Sequence, residues 1–108
     1  MDIIHTLAEE LALNEEQTAK AVALLDEGNT VPFIARYRKE VTGSMDDETL
    51  RKLEDRLGYL RRFDERRQEI VLSIEKQEKM TPELLASLEA AKTMVELEDL
   101  YLPYRPKK

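Results

Sequence analysis

With 108 residues, 42% hydrophobic and 37% charged, the chain has apolar content for one core and an unusually wet surface. A chain of this length buries only about two thirds of its unfolded surface, and the absence of cysteine excludes disulfides and thiolate metal sites. Seventeen basic and 23 acidic residues leave a net charge of −6, so any nucleic-acid contact must lie on a local patch.

That charge is uneven. Residues 1–30 hold one base against seven acids, 31–79 hold twelve against eleven, and 80–108 hold four against five. No apolar run approaches the roughly 20 residues of a membrane span. MDIIHTLAEE lacks the basic start and apolar stretch of a signal peptide, and a cytoplasmic protein is the expectation. No stretch alternates apolar and polar residues long enough for a sheet. The glycines and prolines fall at element ends, Gly58 excepted.

The chain therefore reads as all-α, with about five to six helices. The first covers about residues 2–12, with Ile3, Ile4, Leu7 and Leu11 on one face. Asn14 caps the second, Gln17 stands at the capping-box position, and Gly28 ends it. The third begins at VPFIARYRKE, where Pro32 pre-sets the first turn and Gly43 closes the last. With Phe33 at 0° and an advance of about 100° per residue, Phe33, Ile34, Tyr37 and Val41 fall at about 0°, 100°, 40° and 80°. Arg36, Arg38 and Lys39 fall at about 300°, 140° and 240°. The four apolar residues are expected to bury and the bases to face water. Dipole compensation at the helix end accounts for those bases; contact with phosphate or an acidic partner is the alternative.

The longest helix is expected over 44–79, capped by Ser44 with Asp47 as its box partner. About 33 residues at about 1.5 Å each would span roughly 50 Å, against a radius of gyration of about 13 Å for a compact chain of this size. The domain is then elongated, or more chain belongs around it. Leu50, Leu53, Leu57 and Leu60 follow 3-4-3 spacing, but the heptad register continues into Asp64 and Arg67. Phe63, Ile70 and Ile74 follow a drifting stripe instead, which favours packing within the chain over a self-associating seam. Arg61, Arg62, Arg66 and Arg67 are interleaved with Asp64, Glu65 and Glu69, as on a solvated, ion-paired face.

Thr81-Pro82-Glu83 starts a fifth helix, and Thr93 with Glu96 a sixth that runs to Leu100. Residues 101–108 read as an extended tail. There Tyr101, Tyr104, Arg105, Lys107 and Lys108 combine aromatics with bases. Such a tail can stack and hold a single strand, or its tyrosines can strap it to the helices. His5 is the sole histidine and is expected to be exposed; no metal site, cofactor, catalytic triad or phosphate loop is indicated. The chain reads as non-catalytic.

LLDEGNTVPFIARYRKEVTG, residues 24–43, and LEDLYLPYRPKK, residues 97–108, resemble two signatures of the Tex family of bacterial transcription accessory proteins. The intervening LRKLEDRLGYLRRFDERRQEIVLSIEKQEKMTPEL is similar as well. The resemblance implies an N-terminal helical domain of a longer protein whose nucleic-acid binding resides largely in an OB-fold domain outside residues 1–108. It implies a scaffold that supports nucleic-acid-binding parts. RNA or DNA, other domains of the same protein, and transcription or RNA-processing proteins are then the expected partners. Weak direct contact would use Arg36, Arg38, Lys39, Tyr101, Tyr104, Arg105, Lys107 and Lys108. An acidic face from residues 1–30 offers an alternative, a protein-docking module.

Overall fold

The computed structural model describes residues 1–107, which form seven α-helices, one 3-10 turn and no strand. The helices are α1 (Ile3–Leu11), α2 (Glu15–Asp26), α3 (Val31–Tyr37), α4 (Lys39–Thr42), α5 (Asp47–Lys76), α6 (Pro82–Ala90) and α7 (Met94–Tyr101). The all-α class stands. The count rises to seven because the expected third helix is two, divided at Arg38. Among the described residues, no helix is long and apolar enough to cross a membrane.

Two compact units divide the chain, one from Met1 to Arg61 and one beginning at Arg62. The first unit closes around Leu7, Ala21, Val22, Val31, Ile34, Met45, Leu50, Leu53, Leu57 and Leu60. Leu50, Leu53, Leu57 and Leu60 of α5 thus bury inside their own chain. Helices α1, α2 and α3 each have a local start signal. The Asp2 carboxylate accepts from the His5 N–H at 3.1 Å, and the Asn14 side chain accepts from the Gln17 N–H at 2.9 Å. Such caps satisfy donors that a first turn leaves unpaired. Gly28, at φ 93°, turns the chain out of α2. Ion pairs tie α1 and α2 to α5: Glu10 accepts from Arg56 Nε at 2.9 Å, and Asp26 accepts from Arg61 at 2.8 and 2.9 Å.

Ser44 does not cap α5. It adopts a left-handed φ of 66° in the turn after α4, and the Asp46 carboxylate accepts from the Thr49 N–H at 2.8 Å instead. That amide holds the Asp46 carboxyl below its ordinary pKa.

In the second unit, Phe63, Arg67, Ile70 and Ile74 of α5 are buried, together with Leu88, Ala91, Leu97 and Tyr101. The Thr81 and Thr93 hydroxyls cap α6 and α7, each accepting from the N–H three residues on, at 3.1 Å. Glu96 accepts from the Lys92 N–H at 2.9 Å, one residue earlier than a standard capping box. Helix α7 runs on to Tyr101, and residues 102–104 form the 3-10 turn, so the expected extended tail begins only at Arg105.

Candidate nucleic-acid interface

The bases of residues 36–39 owe their setting to α3 and its abrupt end. The Thr30 hydroxyl caps α3 and Pro32 lies in its first turn. At Arg38 the backbone leaves helical geometry (φ −129°, ψ 31°), and α4 restarts at once. No glycine or proline marks this break. Past the break, Thr42 is fully buried while Val41 is half-buried. The Thr42 hydroxyl accepts from the Met45 N–H at 3.3 Å, so the buried oxygen is satisfied.

The expected apolar stripe is displaced. On the same wheel, Val31, Ile34, Ala35 and Arg38 form a competing stripe at about 160°, 100°, 200° and 140°. Val31 and Ile34 take the core, and Ala35 and Arg38 are half-buried. Phe33 is only half-buried, and Tyr37, expected inside, is 53% exposed. Arg38, expected in water, lays its guanidinium over the Phe33 ring at 5.0 Å and donates to the Tyr37 carbonyl at 3.0 Å. Phe33 and Tyr37 have ring centroids 5.2 Å apart, inclined at 45°. The Arg36 guanidinium lies 5.4 Å from the Tyr37 centroid. An open hollow of about 350 Å³ beside them is lined by Pro32, Ala35, Arg36, Lys39 and Asp47.

Ion pairing separates these cations from the rest of the first unit. Lys20 pairs with Glu16, Arg51 with Asp47, Lys52 with Glu48, Arg56 with Glu10 and Arg61 with Asp26. Among the described residues, Arg36, Arg38 and Lys39 have no carboxylate within ion-pair distance, and Arg36 and Lys39 are exposed.

The second unit treats its expected site residues differently. Tyr101 is 7% exposed, under the Arg66 guanidinium, and its hydroxyl shares a 2.7 Å hydrogen bond with Ser73. Its ring faces are enclosed. Tyr104 is half-buried, and its carbonyl accepts from the Gln77 amide at 2.7 Å. Both tyrosines are thus held against residues 66–77. Arg105 and Lys107 are exposed, and Lys108 lies outside the described residues. Of the arginine cluster, Arg66 pairs with Glu98 at 2.6 Å and Glu69 at 3.1 Å. Glu98 holds the Arg66 pKa well above its ordinary value, and Arg66 holds that of Glu98 below its own.

Arg67 departs from the expected solvated face. It is 8% exposed and donates to the carbonyls of Leu88 and Ala91, both at 2.8 Å, at the end of α6. The 4-3-4 spacing of Phe63, Arg67, Ile70 and Ile74 is the signal that would have found it. His5 is exposed as expected, 3.0 Å from Glu9 and 3.3 Å from Glu15. Among the described residues, no group of three or more His, Cys, Asp or Glu could hold a metal ion.

The Tex-like protein N-terminal domain family matches residues 1–75. The chain is 58% identical over 102 residues to protein YhgF of Escherichia coli, covering 94% of this chain and 13% of that protein. It is 52% identical over 108 residues to transcriptional accessory protein Tex of Neisseria gonorrhoeae, covering 100% of this chain and 14% of that protein. Similarity extends to S1 RNA-binding domain-containing protein 1 of Homo sapiens, 33% identical over 104 residues, covering 96% of this chain and 10% of that protein. The chain spans only 13% or 14% of the bacterial relatives' length.

Proposed function

Since this chain belongs to the Tex-like N-terminal domain family, we propose that it is a non-catalytic, cytoplasmic helical scaffold within a transcription accessory protein, and that it contacts nucleic acid weakly through residues 36–39. The observation that carries this reading is the selective lack of ion pairing. Five cationic side chains of the first unit have carboxylate partners, and the three without one among the described residues are Arg36, Arg38 and Lys39. Unpaired cations release counterions when they meet phosphate, which gives affinity without base reading. In the second unit, Arg105 and Lys107 offer a further basic segment. The relatives' names support the reading at family level, one as a transcriptional accessory protein and one as carrying an RNA-binding domain.

The experiment is a salt series of single-stranded RNA and DNA binding. Three phosphate contacts on a single strand give a slope of log K against log salt of about −2. Reversing charge in an Arg36→Glu, Lys39→Glu variant should weaken binding at least about tenfold at low salt and flatten that slope. Equal affinity of wild type and variant would overturn the proposal.

A second reading, a protein-docking module, is favoured by Leu72, Val95 and Leu102 of the second unit, exposed at 58%, 69% and 64%. Leu72 and Pro106 also line an open hollow of about 460 Å³ with Glu69, Ser73, Lys76 and Gln77. The partner would be another domain of the same protein, or a transcription or RNA-processing protein. Absence of strand binding at any salt would favour this reading.

A further inference from the structure

We infer that Tyr37 is a stacking platform for an unpaired nucleobase, so that residues 33–39 take single strands in preference to duplex. The inference rests on the nucleic-acid reading above and names its ligand class. Tyr37 is the exposed ring among the chain's six aromatic residues; Phe33, Tyr59 and Tyr104 are half-buried, and Phe63 and Tyr101 are buried. Its hydroxyl has no hydrogen-bond partner among the described residues; the ring's neighbours are the Phe33 ring and the Arg36 guanidinium. A helix that could have turned this ring inward buries Val31 and Ile34 instead.

The surroundings suit a base. Phe33 meets Tyr37 at a tilted 5.2 Å, which limits the ring's rotation. Arg38 fixes the backbone just after it by donating to the Tyr37 carbonyl at 3.0 Å, while its guanidinium covers Phe33. Arg38 is thus a positioning residue, and Tyr37 the surface it positions. Arg36, whose guanidinium lies over the Tyr37 ring at 5.4 Å, and Lys39, one residue past the break, have no carboxylate partner among the described residues and are free to meet the phosphates on either side of a stacked base. Every base has an aromatic face, so such a site tolerates sequence. In a duplex those faces are covered by neighbouring pairs, and only the phosphate contacts remain.

The test uses this chain with three probes of equal length, about 12 units: oligo(U) or oligo(dT), an abasic strand of the same charge, and a duplex. Wild type should bind the base-bearing strand about 5- to 100-fold more tightly than the abasic one, the range that one stacked base supplies. Tyr37→Ala should lose that ratio with its salt slope unchanged, and Tyr37→Phe should keep it. Lys39→Ala should do the reverse, flattening the slope by about 0.7 and preserving the ratio. Equal binding of base-bearing and abasic strands by wild type, or full affinity in Tyr37→Ala, overturns the stacking inference and leaves the polyanion reading intact. If wild type binds none of the probes, both fall. The wild-type comparison needs no variant, so it holds however Tyr37→Ala folds.

Discussion

Arg67 is a charged side chain packed into the interior of the second unit. Its guanidinium lies over the Phe63 ring at 4.7 Å and is 3.6 Å from Asp64. Two of its N–H groups satisfy carbonyls at the end of α6, where a helix leaves its last four acceptors without internal partners. A cation there also meets the negative end of the helix dipole. The cost of removing the charge from water is offset because each part of the fork has something to hold. Arg67→Ala should therefore lower unfolding free energy by about 2–4 kcal/mol, since it opens a cavity and strands two buried acceptors. Arg67→Lys should recover only part of the loss, because a point ammonium cannot span both carbonyls. Urea titration measures both, and a loss under about 1 kcal/mol for Arg67→Ala would contradict this account.

At the scale of elements, starts were legible and breaks were not. Asn14, Thr81 and Thr93 each cap the helix that follows, because a side-chain oxygen next to a first turn is a local and sufficient code. The break at Arg38 has no such code. It adds the seventh helix, while the rotation of α3 and the exposure of Tyr37 follow from Val31 and Ile34 taking the core. Ser44 was misread because the turn after α4 claims its backbone, leaving the cap to Asp46. The cations at 36, 38 and 39 were legible as a group, but their lack of carboxylate partners depends on side chains far off in sequence. Gly43 closes α4 at φ 73°, and the Gln17 side-chain amide occupies the space that a Cβ there would need. Gly43→Ala should cost about 1–2 kcal/mol by thermal melting, from left-handed strain and displacement of Gln17. Adding Gln17→Ala should relieve the displacement and leave about 1 kcal/mol of backbone strain.

For the molecule as a whole, stability should follow its shifted carboxylates. Asp26, hydrogen-bonded to Arg61, sits below its ordinary 3.8, and Glu98, hydrogen-bonded to Arg66, below its ordinary 4.5. A carboxyl with a folded pKa beneath its unfolded one stabilises the fold above the unfolded value and stops doing so as pH falls through the folded value. The melting temperature should therefore drop from about pH 5 downward, and an Asp26→Asn, Glu98→Gln variant should show a shallower drop. His5 has the opposite sign. Glu15, Glu9 and Asp2 raise it above 6.5, so its contribution is present below that value and fades as pH rises through the folded pKa. A melting temperature independent of pH between about 2 and 5 would refute the carboxylate account.

Val31 and Ile34 lie beneath the surface of α3. Because their burial sets which side of α3 turns inward, the outer display of the Phe33–Lys39 segment is governed from within. Solvent-facing chemistry and hidden packing cannot drift separately along this stretch. A change made in the dark of the core would be read at the ring that faces the water.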